Sequence, residues 1–169
     1  MREGRALRLA PPALLAAALV IAMNTPTFAQ TPNAPLRITR MGEQATVPGA
    51  AENFTGAVRV DQRFGADAPA RVGGGLVSFE PGARTNWHTH PLGQTLLIVE
   101  GQGQVQHWGG PVQNVRPGDV VWIPPGTKHW HGASPRSAMQ HWAVAEQLDG
   151  RTVTWLEPVT DAQYQPTTP

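Results

Sequence analysis

The sequence of 169 residues contains no cysteine. Disulfide bonds, thiolate metal ligands and cysteine nucleophiles are therefore excluded. The stability of the folded chain has to come from a hydrophobic core, and a chain of this length can bury one as a single domain. Lysine is almost as scarce, because Lys128 is the only one.

No apolar run is long enough to cross a membrane, but the N-terminus has the order of a secretory signal peptide. Basic residues precede an apolar run from Leu9 to Met23, and small residues follow up to Ala29. That run is about 15 residues, whereas a membrane span needs roughly 20. The sequence therefore predicts a signal peptide over residues 1–29, cleavage after Ala29 and a secreted or periplasmic protein without stable membrane insertion. A retained membrane anchor and an over-extended translation start are the alternatives.

Cleavage changes the charge of the chain. Loss of three arginines and one glutamate leaves 10 basic and 11 acidic residues, so the net charge moves from +1 to −1. A domain this close to neutral carries no electrostatic footprint for nucleic acid or for an anionic membrane surface.

The remaining chain is predicted to form one all-β domain. Residues 30–40 are expected to be a flexible leader, and residues 41–169 the domain, with its core at about 54–156. Short β-branched and aromatic segments alternate with turns, and the 18 glycines and 17 prolines supply those turns. Such a pattern is typical of a β-sandwich or barrel. One helical turn is expected within Val159–Tyr164.

Five of the six histidines lie in two clusters and the strand that follows them. His88 and His90 are two residues apart, so on a strand they share one face, and the same holds for His129 and His131. Gln94 opens the apolar strand Gln94–Glu100, where an inward amide needs a partner. Three imidazoles and one amide oxygen suit a first-row divalent ion, which predicts a metal site at His88, His90, Gln94 and His129.

His141 belongs to a strand in which alternation places it on the same face as Met139, Ala143 and Ala145. This small and apolar face is expected to point into the barrel, next to the metal. The alternative is a core histidine that is only hydrogen-bonded. Arg84 is expected to form an ion pair at the surface, with a cation of the pocket as the alternative. The tryptophans beside the histidines are expected to point away from the metal.

The two clusters resemble the two motifs of the cupin family. The first motif is G-x5-H-x-H-x3–4-E-x6-G, and its positions are occupied by Gly82, His88, His90, Gln94 and Gly101. The second motif is G-x5-P-x-G-x2-H-x3-N, and it is matched by Gly118, Pro124, Gly126 and His129. There are two departures, because Gln94 replaces the glutamate and Ala133 replaces the asparagine. A neutral amide leaves the full 2+ charge on the ion, which predicts a stronger Lewis acid that is held less tightly.

From about Met41 to Tyr164 the chain is similar to small bacterial cupins with hydroxynitrile lyase activity. The stretches FEPGARTNWHTHPLGQTL and RPGDVVWIPPGTKHWHGA carry this resemblance. It implies a single-domain jelly-roll barrel, also called a double-stranded β-helix, with one divalent ion, manganese before iron, nickel, cobalt or zinc. It also implies reversible cleavage of small cyanohydrins such as mandelonitrile to aldehyde and HCN. His141 would be the acid/base, and the pocket would be lined by Val77, Thr85 and His131.

Two other functions stay open at this point, because cupins host many reactions. One is a different metal-dependent enzyme, such as a dioxygenase or an isomerase. The other is a non-catalytic periplasmic protein that binds a small molecule or a metal. In each case the partner is a small molecule, and the tryptophan-rich strands predict a homo-oligomer.

Overall fold

A computed structural model of the chain describes residues 35–165, and within them thirteen strands and one short helix. The strands are β1 (Val47–Pro48), β2 (Phe54–Thr55), β3 (Val58–Gly65), β4 (Val72–Phe79), β5 (Arg84–Thr85), β6 (His88–Thr89), β7 (Gln94–Gly101), β8 (Gly103–His107), β9 (Gln113–Val115), β10 (Val120–Ile123), β11 (His129–Ala133), β12 (Met139–Glu146) and β13 (Thr154–Trp155). The helix is α1 (Asp161–Tyr164). The prediction of an all-β jelly-roll domain is confirmed.

The strands form two antiparallel sheets. The first has the order β1-β3-β4-β12-β7-β10. The second has the order β13-β6-β11-β5-β2, and β8 and β9 extend it from the other side of β11. Because β11 pairs with β6 at His129 and His88, the two motifs are neighbours in one sheet.

The core lies between the sheets and follows strand alternation. On β12, Met139, His141 and Ala145 are buried, whereas Trp142 lies on the opposite face. Apolar side chains from both sheets pack with Met139, and each large one stabilises the fold by about 1.5–3 kcal/mol; they include Phe79, Leu96, Ile98, Val105 and Val115.

A second, smaller cluster forms where α1 covers the other face of the second sheet. Trp87 and Trp130 are buried there with Val159 and Tyr164. The prediction that these tryptophans point away from the metal side is therefore confirmed, and the expected helical turn is present as α1.

Arg84 corrects a prediction, because it is not a surface residue. Only 7% of its side chain is exposed. Its guanidinium donates to the Val159 carbonyl at 3.0 and 3.2 Å and to the Asp161 carboxylate at 2.6 Å, and it lies 4.6 Å from the centre of the Tyr164 ring. No residue pattern indicates that α1 folds back over this strand.

A tight bend separates β2 from β3. Gly56 has a φ of 81° between β2 and β3, and a Cβ at this position would lie 2.9 Å from Ala83 Cα. A left-handed conformation at such a close approach requires glycine, so the chain turns here from one sheet into the other.

The signal peptide, its cleavage site and the first part of the leader lie outside the described residues. Residues 35–40, the rest of the leader, have no regular secondary structure and are exposed. Among residues 35–165, no helix has the length and the hydropathy to cross a membrane.

Candidate metal centre

Two strands and the start of a third bring the predicted metal ligands together. His88 on β6 lies beside His129 on β11, with ring centres 4.1 Å apart. His90 follows β6, and its ring centre is 5.2 Å from that of His88 and 5.7 Å from that of His129. Gln94 begins β7 and is buried with them. The four predicted side chains therefore converge in the interior.

Backbone carbonyl groups fix the protonation of the three imidazoles. The Nδ1 atoms of His88, His90 and His129 lie 2.9, 2.7 and 2.8 Å from the carbonyl oxygens of Asn86, Thr152 and Thr127. A carbonyl can only accept, so each Nδ1 carries the proton and donates it. In a neutral ring Nε2 is then a bare lone pair, which is the arrangement found in metal-ligating histidines.

The contact between His129 and Gln94 is the test of whether a metal fits. His129 Nε2 lies 3.1 Å from Gln94 Oε1, while its Nδ1 already donates to Thr127. A neutral imidazole has one N–H, so, in the orientation in which the amide lies, two lone pairs face each other across this contact. A cation between them would turn that repulsion into coordination. The donor set of imidazole nitrogens and one amide oxygen fits a first-row divalent ion.

Burial keeps these imidazoles neutral. Desolvation lowers the pKa of His129 to about 4 and holds the pKa of His88 well below its ordinary value. The pKa of His90 is also lowered, again mainly by burial. All three rings are therefore neutral at neutral pH, with the proton on Nδ1, and no proton would have to be displaced from Nε2 before a metal binds.

The tightest histidine cluster differs in one member from the predicted set. Ligand atoms of His88, His129 and His131 all lie within 4.8 Å of one another, and these three buried histidines form a possible metal site. His90 is not in this group, although its Nε2 is buried and has no hydrogen-bond partner. The predicted roles of His90 and Gln94 as ligands stay predictions.

His131 and His141 form a pair at the inner side of this cluster. Their facing atoms, His131 Nδ1 and His141 Nε2, are 3.1 Å apart, so one proton lies between the two rings. Both side chains are buried, and desolvation lowers the pKa of His141 to about 4 and that of His131 well below its ordinary value. His131 Nε2 has no hydrogen-bond partner and is left free to face the histidine cluster.

A cavity of about 270 Å³ opens beside the cluster. All three predicted pocket residues, Val77, Thr85 and His131, line it, together with His88, His90 and Gln94. Its other walls are mostly apolar and include Phe54, Phe79, Ala143, Val153 and Trp155. His141 is not among the residues that line the cavity, and it is connected to the cavity through its hydrogen bond with His131.

Sequence reasoning missed the contacts that depend on folding. The carbonyl groups that orient the histidines carry no signal of their own, and Thr152 is 62 residues from His90. Trp155, whose ring centre lies 4.8 Å from that of His88, sits in a short strand without a pattern that points to the site. Thr85 was predicted only as a pocket residue, yet its Oγ1 also accepts from the backbone N–H of His131.

Comparison with known proteins gives the same class as the fold and the site. Residues 75–140 match the Cupin domain family. A cupin-like protein from Thermotoga maritima superposes with a TM-score of 0.66 at 38% identity, covering 76% of this chain and 94% of that protein. A cupin 2 conserved barrel domain protein from Rhodopseudomonas palustris gives a TM-score of 0.54 at 25% identity over 63% and 74% of the two chains. The chain belongs to the cupins.

Among curated proteins it is similar to the (R)-mandelonitrile lyase of Granulicella tundricola. The two are 57% identical over 130 residues, which are 77% of this chain and 99% of that protein. The chain is thus a small cupin that resembles a hydroxynitrile lyase over the whole length of that relative.

Proposed function

We propose that this cupin is a metal-dependent hydroxynitrile lyase that reversibly cleaves small cyanohydrins, such as mandelonitrile, to an aldehyde and HCN. The observation that carries the proposal is a neutral His131–His141 pair beside a cluster of bare imidazole nitrogens, all at one small cavity. The likeness to an (R)-mandelonitrile lyase supports the reaction class.

The ligands that would hold the ion are His88, His90, Gln94 and His129, and manganese is the ion proposed first, ahead of iron, nickel, cobalt or zinc. A divalent ion, when bound, supplies Lewis acidity to an oxygen of the substrate. Because Gln94 is neutral, none of the four ligands offsets the positive charge. The carbonyl groups of Asn86, Thr152 and Thr127 keep the rings oriented with Nε2 toward the centre.

The proton chemistry falls to the two paired histidines. With the shared proton on His131 Nδ1, the lone pair of His131 Nε2 takes the proton of the cyanohydrin hydroxyl group, and His141 stabilises the imidazolium through their hydrogen bond. The carbon–carbon bond then breaks, its electron pair leaves with cyanide, and the carbonyl double bond forms. The imidazolium returns the proton to cyanide, which leaves as HCN. The acid/base predicted at His141 thus acts behind His131.

The cavity suits a small aromatic substrate. At about 270 Å³ it lies just below the roughly 300–1,000 Å³ of pockets for drug-sized ligands. Phe54, Val77, Phe79 and Trp155 offer apolar surface for an aryl ring, while the imidazoles face its polar end. Burial of the ring would contribute about 25 cal/mol for each Å² of apolar surface removed from water.

The test follows benzaldehyde release from mandelonitrile by manganese-loaded protein. Substituting alanine for His131 or His141 should lower the rate at least about a hundredfold, which is the lower range for loss of an acid/base. The control is His107→Ala, which removes an exposed histidine outside the cavity. Normal turnover in both variants would remove the proposed roles, and oxygen uptake with diketone substrates in place of cyanohydrin cleavage would indicate a dioxygenase.

Metal content separates the two possible ligand sets. His90→Ala should lose manganese as His88→Ala does, whereas His131→Ala and His141→Ala should keep it. Retention in His90→Ala with loss in His131→Ala would replace the proposed set by the tighter cluster of His88, His129 and His131. Elemental analysis of the purified proteins gives the answer.

We also propose that the chain is exported and cleaved after Ala29. The charge order and the short apolar run of residues 1–29 support this. The intact mass of protein recovered from the periplasm or medium of an expressing bacterium should then correspond to a chain that begins at Gln30.

A homo-oligomer is proposed through the outer face of the first sheet. Exposed apolar side chains cluster there, namely Phe64, Leu97, Val99, Val120 and Trp122. The largest exposed apolar patch on a typical monomer covers about 300–600 Å². A standard dimer buries about 800 Å² per subunit, so a polar rim around this face would complete the area. The patch is apolar, which favours a second copy presenting the same face.

A further inference from the structure

The segment that follows β12 folds into a tight hairpin, Gln147–Thr152, called the C-terminal hairpin below. Leu148 and Arg151 exchange two backbone hydrogen bonds of 2.9 and 3.0 Å. Between them Asp149 and Gly150 have φ values of 50° and 76°. Two consecutive positive φ values define the type I′ turn, which favours Asp and Gly at these positions. The hairpin therefore has a defined conformation although most of it is exposed.

The hairpin is hydrogen-bonded to a histidine of the candidate metal centre. The carbonyl oxygen of Thr152 accepts from His90 Nδ1 at 2.7 Å. His88 and His129 are held differently, because each donates to the carbonyl of the residue two positions before it. Of these three imidazoles, His90 alone is oriented by a distant part of the chain.

The same hairpin forms one wall of the cavity. Gln147 and Thr152 line it, and Val153 continues the wall. The base of the hairpin is also tied to the neighbouring strand, since the N–H of Gln147 donates to the Arg71 carbonyl at 3.1 Å. Movement of the hairpin would therefore shift the Thr152 carbonyl and the His90 ring together.

We propose that the C-terminal hairpin is the positioning element for His90 and so sets how firmly the cupin holds its metal. The proposal rests on metal binding at the proposed ligands. Of the three proposed imidazole ligands, His90 alone is oriented by a carbonyl outside its own strand region, and that hydrogen bond to Thr152 fixes the direction of its Nε2. Loosening the turn should weaken metal retention although no ligand is changed.

The test uses Gly150→Ala in the otherwise intact chain. A Cβ at Gly150 would have no atom within 4 Å, so the substitution acts only by straining a left-handed backbone position. The matched control is Gly118→Ala. Gly118 has a φ of 92° and equally open surroundings, but it lies in the turn before β10 and outside the residues that line the cavity. Gly150→Asn is the rescue variant, because asparagine tolerates the left-handed conformation.

The readout is the rate at which manganese(II) passes from loaded protein to an excess of chelator. Gly150→Ala should release the ion about tenfold faster than the unsubstituted protein, Gly118→Ala within about twofold of it, and Gly150→Asn close to it. In metal-free protein, the Nδ1–H proton of His90 should exchange with solvent faster in Gly150→Ala, as measured by NMR. The Gly118→Ala and Gly150→Asn variants should not show this increase. Should that variant not fold, Asp149→Ala strains the same turn at its other position.

Two failures can be told apart. If the unsubstituted protein does not retain manganese or another divalent ion, the metal-dependent function proposed above is wrong, and this inference with it. If the protein retains manganese and Gly150→Ala releases it no faster than Gly118→Ala, the function stands and the positioning role of the hairpin is wrong.

Discussion

At the scale of single residues, the site depends on where each histidine keeps its proton. Carbonyl oxygens hold the proton of His88, His90 and His129 on Nδ1, and burial prevents a second one from binding. Gln94 differs from the glutamate of the motif, and its oxygen meets His129 Nε2 without a proton between them. In the proposed metal centre, the charge at this one position would therefore decide how strongly the ion is bound and how strongly the ion polarises the substrate.

Gln94→Glu is expected to strengthen metal binding and to weaken catalysis. A carboxylate adds a negative ligand, so manganese release to a chelator should slow by about tenfold or more, corresponding to about 1.4 kcal/mol. The same charge reduces Lewis acidity, so mandelonitrile cleavage should also slow. Gln102→Glu places the same charge on an exposed side chain and should change neither rate. Faster release from Gln94→Glu would contradict the neutral-ligand argument.

Stability of the metal-free protein should depend on pH through the buried histidines. In the folded chain the pKa of His141 is about 4, whereas an unfolded histidine titrates near 6.5. Between these values the unfolded chain binds more protons, so the free energy of unfolding should fall as pH drops from about 6.5 toward 4 and reach its plateau above 6.5. His141→Gln should flatten this dependence in urea titrations, and His107→Gln should not. Equal slopes in all three proteins would refute the assignment.

At the scale of elements, α1 is held on the barrel by a buried arginine. Thr160 and Gln163 cap the helix reciprocally, and the Tyr164 hydroxyl donates to the Ala133 carbonyl at 2.7 Å. Arg84 joins β5 to this segment with hydrogen bonds to the Val159 carbonyl. Ala133 ends β11, which carries His129 and His131, so α1 buttresses the strand that bears two site histidines.

Arg84→Met should destabilise the protein much more than Asp161→Asn. The ion pair between them ends on a carboxylate that is 96% exposed, and such pairs contribute at most about 1 kcal/mol. The bonds to the buried Val159 carbonyl are different, because their loss leaves an unpaired polar group at a cost of about 1–3 kcal/mol. Thermal unfolding of both variants measures this. A larger loss of stability in Asp161→Asn than in Arg84→Met would mean that the ion pair stabilises the protein more than the hydrogen bonds to the Val159 carbonyl do.

At the scale of the whole molecule, the proposed homo-oligomer would form through the exposed apolar face of the first sheet. Trp122 is 59% exposed and Val120 66% exposed on β10, the edge strand of the first sheet. Trp108 has a similar exposure of 52%, but it lies at the turn after β8, where it packs against Trp87 and Lys128. The two tryptophans therefore form a matched pair for testing which face associates.

Trp122→Ser should shift the protein toward the monomer, and Trp108→Ser should leave its assembly unchanged. Loss of a tryptophan at the centre of an interface costs about 2 kcal/mol or more, which corresponds to roughly thirtyfold in the dissociation constant. Sedimentation velocity over a range of protein concentrations measures both variants. A monomeric unsubstituted protein, or dissociation by Trp108→Ser alone, would exclude this face.

The amino-acid sequence by itself determined the fold class and the members of the site. Strand alternation placed His88 with His90 and His141 with Ala145 on inner faces, because side chains on a strand repeat every two residues. The motif spacing identified His88, His90 and His129, and the two-residue repeat placed His131 on the same face as His129. These are local properties of the chain, and local patterns can be read directly.

Only the tertiary structure decided which side chains touch. It placed His131 between His141 and the cavity, buried Arg84 under α1, and brought the Thr152 carbonyl to His90. Each of these contacts joins segments from 10 to 75 residues apart. Such contacts depend on the register between strands and on the path by which the chain returns over the barrel. Neither the register nor the path produces a repeating pattern in the sequence, so the contacts could not be predicted from it.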